Sequence, residues 1–260
     1  MAKIIAVCNQ KGGVGKSTTA VNVGSYLALA GRKTLLVDLD PQGNATTTCG
    51  VSRDDAAGKD IYQVLINNLD IEETILKTPV DGMRLVPASI DLAGAEPFLA
   101  TAEEKETVLR RICETLRPKY EFILFDCPPA LGLLTVNALV AADSTIIPVQ
   151  CEYLALEGLS SLMRSVNLVK QRLNPALKVG GIVLTMADFR ANLAREVADE
   201  VKNYFKEMVF KTSIPRNIRL AESPGFGKPI CLYDPNSTGA LAYRLLTQEV
   251  INKEIFGAAT

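Results

Sequence analysis

No apolar run in this 260-residue chain approaches the roughly 20 residues that a membrane-spanning helix needs. A strand pattern already begins at Lys3, and the N-terminus has no signal-peptide pattern. None of the six cysteines (8, 49, 113, 127, 151 and 231) belongs to a C-x-x-C pair. Their expected role is that of small buried hydrophobes in a reducing cytosol. An excess of either charge is missing too: the net charge is −1, so any nucleic-acid or membrane surface has to be local. There is no internal repeat, low-complexity segment or linker, which favours one domain over 1–260, although the length also permits two small ones. Against these absences stands a hydrophobic content of 48%, ample for a buried core and too high for disorder. A cytoplasmic protein is expected.

Short apolar runs alternate with helical patterns along the chain. Strands are expected at 4–8, 34–37, 83–87, 122–125, 145–149 and 179–185. Helices are expected at 17–30, 60–67, 103–116, 131–142, 153–173, 193–205 and 237–255, with Pro118 and Asn174-Pro175 as stops. Near-continuous apolar strands between helices indicate an α/β fold, a predominantly parallel twisted sheet with helices on both faces. The stretch from Val51 to Asp81 is the least legible.

The first strand runs directly into Lys11-Gly12-Gly13-Val14-Gly15-Lys16-Ser17-Thr18 and then into a helix. Strand, glycine-rich turn and helix are the context of a phosphate-binding loop. Glycine lets the backbone curl so that successive N–H groups face an anion, and the helix N-terminus adds to the attraction. Lys16 would sit on the β- and γ-phosphates of ATP and the Ser17 hydroxyl on Mg²⁺. Here too something is missing. The usual G-x-x-x-x-G-K-S/T requires glycine at position 10, where this chain has Gln10, and a second lysine, Lys11, leads the loop instead. The dinucleotide fingerprint fails as well, because Thr18 occupies the place of its third glycine.

Asp38, Asp40 and Asp126 each follow an apolar run, which puts them at strand ends, where open α/β sheets bind ligands. Four apolar residues and then Asp126 fit a Walker B carboxylate, holding Mg²⁺ directly or through water. For a single aspartate, capping of a turn or helix is the alternative; three at strand ends beside a phosphate loop favour a role at the ligand. The prolines at 128 and 129 make a stiff exit from the fourth strand pattern, as a switch or as a plain structural turn.

The loop Lys-Gly-Gly-x-Gly-Lys-Ser resembles the deviant Walker A motif of the ParA/MinD ATPases. Asp38-x-Asp40-Pro41-Gln42-Gly43-Asn44 resembles the second signature of that family, and Asp126-Cys127-Pro128-Pro129 its Asp-x-Pro-Pro switch. The segments Ile214–Leu220 and Glu222–Pro229 are similar to the ParA I-P-R-N-x-x-L-x-E-A-P-x-x-G-K-P stretch, with Ser223 in place of alanine. Thr185-Met186 through Asn192 is similar to T-M-x-x-x-R-x-N-L, with Ala191 in place of threonine. The resemblance covers almost the whole chain. It implies that Lys11 crosses the interface of an ATP-dependent homodimer to the partner's nucleotide. Asp40 is then the residue that orients the attacking water and Asp38 lies near the Mg²⁺ shell. Gly12, Gly13, Val14, Gly15, Lys16, Ser17 and Thr18 hold phosphate, and Met186, Pro215 and Asn217 lie at the nucleotide.

Within the superfamily, the C-terminal stretch Glu249–Gly257 is mixed in charge and poor in lysine, which disfavours the membrane helix of MinD-like members. Cys113 and Cys151 are unsuited to the bridging iron–sulfur cluster of the nitrogenase-type reductases. The pattern is most like the small chromosomal ParA (Soj-type) subgroup, which lacks the N-terminal DNA-reading extension of some plasmid versions. That subgroup implies a nucleoid-associated ATPase, binding double-stranded DNA non-specifically as an ATP dimer and stimulated by a ParB partner. Arg190 and Arg219 match its DNA-contacting positions, within a run of basic residues between 190 and 228 interleaved with acidic ones. Lys202 and Lys206 there are equally readable as a solvated helix face. A positioning ATPase for a protein cargo is the other class of function left open.

Overall fold

The computed structural model describes residues 1–153 and 155–256. Leu154, near the start of one helical pattern, and Gly257, at the end of the C-terminal stretch, lie outside the described residues. The strands are β1 (Lys3–Val7), β2 (Thr34–Asp38), β3 (Leu76–Lys77), β4 (Met83–Val86), β5 (Phe122–Asp126), β6 (Ser144–Gln150) and β7 (Lys178–Thr185). They form one sheet in the order β3-β4-β2-β5-β1-β6-β7. Every neighbouring pair is parallel except β3–β4.

Helices cover both faces, which is why β2 and β5 are buried along their whole length and, apart from Thr34 and the final aspartates, apolar. Successive side chains alternate between two cores. Ile4, Ala6, Leu35, Val37, Ile123 and Phe125 face the helices Val108–Leu116, Leu133–Ala141, Ala155–Arg172 and Asn192–Phe205. Ile5, Val7, Leu36 and Leu124 face α1 (Lys16–Leu29) and the C-terminal helix Thr238–Phe256. Those two helices are tied by a hydrogen bond of 3.1 Å between the Thr19 and Tyr243 hydroxyls, both fully or almost fully buried.

Two stretches differ from the sequence reading. Within residues 51–81 the expected helix is present as Ile61–Asn67 with Asp60 as its N-cap, but a capped turn of helix at Arg53–Ala56 and the two-residue β3 are too short for a period to register. The strand at Met83 is therefore the fourth. The helix expected from Glu103 begins only at Val108. Glu104 has φ +52°, a left-handed conformation through which a right-handed helix cannot run.

Asn174, expected only as a helix stop, also serves a neighbouring helix. Its buried side-chain amide donates to the carbonyls of Leu139, Val140 and Ala142 at 3.0, 3.1 and 2.8 Å. It thus closes the C-terminal end of Leu133–Ala141. Asn174→Ala leaves these carbonyls without their donor and should cost roughly 1–3 kcal/mol, read as a lower urea midpoint with an unchanged slope.

Candidate active site

From β1 the chain winds to one edge of the sheet, returns through β5 and crosses to β6 and β7 on the other side. The C-terminal ends of β1, β2 and β5 therefore border the crevice in which open α/β sheets take ligands. In register, Asp126 lies opposite both Val7 and Asp38, so the phosphate loop and two carboxylates converge by strand pairing alone.

Gly13 and Gly15 have φ +74° and +86°, the left-handed values that glycine tolerates without strain. Gly15 is the N-cap of α1, and no side chain caps it. The first N–H groups of a 14-residue helix are thus available to an anion. A Cβ added at Gly12 or Gly13 would meet nothing within 4 Å, so the loop crest is open. Its flanks are tied down. The Asn9 amide donates to the Pro148 carbonyl at 2.7 Å, the Lys11 N–H donates to Asn9 Oδ1 at 3.0 Å, and the Thr185 hydroxyl donates to the Val14 carbonyl at 2.9 Å.

Lys16, the first residue of α1, is 6% exposed, and its ammonium donates to the Lys11 carbonyl at 3.3 Å. Burial lowers its pKa, while the charges of Asp126 and Asp40 act in the opposite direction. These groups therefore sense one another across the loop. Ser17 and Thr18 follow on the same first turn.

The carboxylates differ in how they are satisfied. Asp38 Oδ2 accepts from both the N–H and the hydroxyl of Thr46 at 2.8 Å, and its Oδ1 accepts the Asp40 N–H at 3.1 Å. Asp40 Oδ1 accepts the Gln42 N–H at 3.0 Å. Asp126 is fully buried with neither oxygen hydrogen-bonded. Burial pushes Asp38 and Asp126 above the usual carboxylate range, and for Asp126 the neighbouring Asp38 charge adds to it. The Ser17 hydroxyl opposes part of that rise from outside hydrogen-bonding geometry. An unpaired buried carboxylate beside a serine hydroxyl and a phosphate loop fits a divalent cation. Among the described residues no cluster of three or more His, Cys, Asp or Glu is arranged to hold a metal ion. A cation at Asp126 would therefore complete its shell with phosphate and water oxygens, as Mg²⁺ does.

Several participants were not visible in the sequence. Glu152, just beyond β6, is ion-paired with Lys11, and both side chains are nearly half exposed. No spacing links residues so far apart. Thr46 accepts the Ala88 N–H on the hydroxyl that it donates to Asp38, at 3.0 Å, joining the Asp40–Asn44 loop to the end of β4. A threonine just after Gly43-Asn44 was the available signal. Behind this loop lies a cavity of about 440 Å³, bordered by Gly43, Thr46, Asp60, Ala88 and Ser89.

The residues expected at the nucleotide from the distal half, Met186, Pro215 and Asn217, lie beyond β7. Ala187 donates its N–H to the Ile214 carbonyl at 3.0 Å and bridges to Pro215, which sets the segment carrying Met186 alongside the one carrying Pro215. Met186 has φ +49°, a conformation costing a non-glycine residue on the order of 1 kcal/mol. The Asn217 side chain N-caps the helix Ile218–Glu222 and donates to the Thr238 hydroxyl at 2.9 Å. Arg190 and Arg219 are exposed on the surface, each already paired with a carboxylate. All six cysteines are buried and unpaired, and burial raises every thiol above its ordinary range.

Comparison with known proteins gives the same architecture and the same sequence pattern. The model of a family described as AAA domain matches residues 2–179. The chain is 52% identical to the Bacillus subtilis sporulation initiation inhibitor protein Soj, over 96% of this chain and 98% of that protein. It is 51% identical to the Myxococcus xanthus chromosome partitioning protein ParA, over 98% of this chain and 89% of that protein. A solved structure from Mycobacterium smegmatis, named cobyrinic acid a,c-diamide synthase and bound to an ATP analogue and magnesium, superposes with a TM-score of 0.87. It is 35% identical, covering 100% of this chain and 98% of its own. The chain belongs to the AAA domain family and, within it, to the ParA/MinD ATPases of Soj and ParA type.

Proposed function

We propose that this chain is a Mg²⁺-dependent ATPase that dimerises on ATP, binds double-stranded DNA without sequence preference, and partitions a chromosome or plasmid with a ParB partner. The observation that carries the nucleotide chemistry is Asp126, a buried carboxylate without a hydrogen bond at the foot of the phosphate loop. Asp126 and the Ser17 hydroxyl would hold Mg²⁺, with Asp38 beside them; the ion supplies positive charge to the β- and γ-phosphates. Lys16 and the open N–H groups of α1 hold the same phosphates. Asp40 keeps one carboxylate oxygen on the Gln42 N–H and orients the attacking water with the other. Lys11 lies on the exposed crest of the loop, able to exchange Glu152 for the nucleotide of a second subunit. The relatives named Soj and ParA support partitioning as the role. No helix among the described residues is long and apolar enough to cross a membrane.

Lys16→Ala should abolish ATP binding, because among the described residues no other lysine or arginine is the first residue of the helix after the loop; tight binding by isothermal titration would refute the phosphate-loop assignment.

Lys11 and Asp40 should separate dimerisation from turnover. Lys11→Ala should bind ATP as a monomer and fail to dimerise. Asp40→Ala should form a stable ATP dimer with hydrolysis reduced roughly 10²-fold, the scale of losing an acid–base group. Gel filtration with ATP and phosphate release read the two together, and a Lys11→Ala variant that dimerises normally excludes the cross-subunit role.

DNA binding should depend on the nucleotide, because a dimer doubles every contact. Co-sedimentation with plasmid DNA should succeed with ATP and fail with ADP. Equal retention in both would sink the switch, and no retention in either would favour a protein cargo.

A further inference from the structure

Arg190 and Arg219, the arginines assigned to DNA, each carry an intramolecular counter-ion. Arg190 follows β7 with its side chain 91% exposed, yet one edge of its guanidinium is occupied. Nε donates to Asp188 Oδ1 at 2.7 Å and Nη2 to Asp188 Oδ2 at 2.6 Å, the two-pronged arrangement in which arginine also grips phosphate. The backbone holds Asp188 in place for this, since its Oδ1 accepts the Arg190 N–H at 3.2 Å. Arg219 is held similarly: Nη1 to Glu222 at 3.0 Å and Nε to Asp234 at 3.4 Å. The Tyr233 hydroxyl, donating to Glu222 Oε2 at 2.9 Å, fixes that carboxylate.

We infer that Asp188 and Glu222 are attenuating residues of the DNA surface, occupying the edges of Arg190 and Arg219 that phosphate would take and so capping the affinity of each protomer. The inference rests on the DNA-binding reading and refines it. A phosphate approaching Arg190 has either to displace Asp188 or to bind the remaining edge beside it. In the second case carboxylate and phosphate lie one hydrogen bond from the same guanidinium, well inside the ~8 Å screening length of physiological salt. Both routes cost affinity, and both costs recur in a dimer. A surface built this way grips DNA weakly as a single copy and relies on two copies acting together.

The opposite assignment, in which the carboxylates splint the arginines toward phosphate, predicts the opposite sign. Asp188→Asn removes the charge and keeps an oxygen for the Arg190 N–H. With ATP, it should bind plasmid DNA roughly two- to fivefold more tightly, the range for releasing an exposed ion pair. Its log–log salt slope should steepen by up to about 0.9 per protomer. Glu222→Gln should act in the same direction but less, because Asp234 still holds Arg219. ATP-driven dimerisation by gel filtration and the melting temperature establish that the variants are intact. Unchanged or weaker binding by Asp188→Asn, with Arg190→Glu losing DNA, overturns the attenuation and leaves the DNA surface standing. If neither the parent nor Asp188→Asn binds DNA with ATP, the DNA reading falls and the attenuation with it.

Discussion

A carboxylate taken out of water with no hydrogen bond and no cation costs several kcal/mol, and the fold places one at the end of its central strands. Asp126 is buried with both oxygens bare, and Asp38 is its register neighbour on β2. Among the described residues, Lys16 is the cation whose charge acts on Asp126 across the loop, and it is itself desolvated by burial. Burial in turn opposes the ionisation of Asp38 and Asp126. On the proposed reading, a bound cation would answer Asp126 and Asp38, and phosphate would answer Lys16 and the open helix N-terminus.

The surroundings divide into rigid and movable parts. The phosphate loop is anchored on both flanks, through Asn9 to β6 and through Thr185 to β7. The Asp38–Thr46 loop is tied instead by a relay from Asp38 through the Thr46 hydroxyl to Ala88, with a cavity of about 440 Å³ behind it. Rearranging Asp38 around a cation changes what Thr46 accepts and donates, and hence the contact with β4. A segment with space behind it suits a switch; a loop tied at both ends suits a fixed cradle.

Counter-ions recur at the three basic residues assigned to partners. Lys11 is held by Glu152, Arg190 by Asp188 and Arg219 by Glu222. Exposed pairs of this kind contribute little to stability. They cost little to break, and each keeps a reactive cation neutralised until something more strongly charged arrives. The near-zero net charge of the chain is consistent with this local neutralisation.

The phosphate loop, the three aspartates and the alternation of strand and helix were legible in the sequence, because each is a local pattern: Gly-Lys-Ser after an apolar run, an acid after an apolar run, a period of 3.6 residues or an unbroken apolar strand. Within residues 51–81 only the helix at 60–67 was legible, since a single turn of helix and a two-residue strand carry no measurable period. Nor were Glu152, Thr46 or the second duty of Asn174. Glu152 meets Lys11 across a separation of 141 residues, and Asn174 meets its carbonyls across at least 32. The strand order creates such encounters, and no spacing rule encodes them. The sequence by itself determined which chemistry the chain carries, because phosphate and metal ligands sit on short motifs. Only the tertiary structure decided which charges stand free and which already hold a partner, because that depends on long-range packing of side chains.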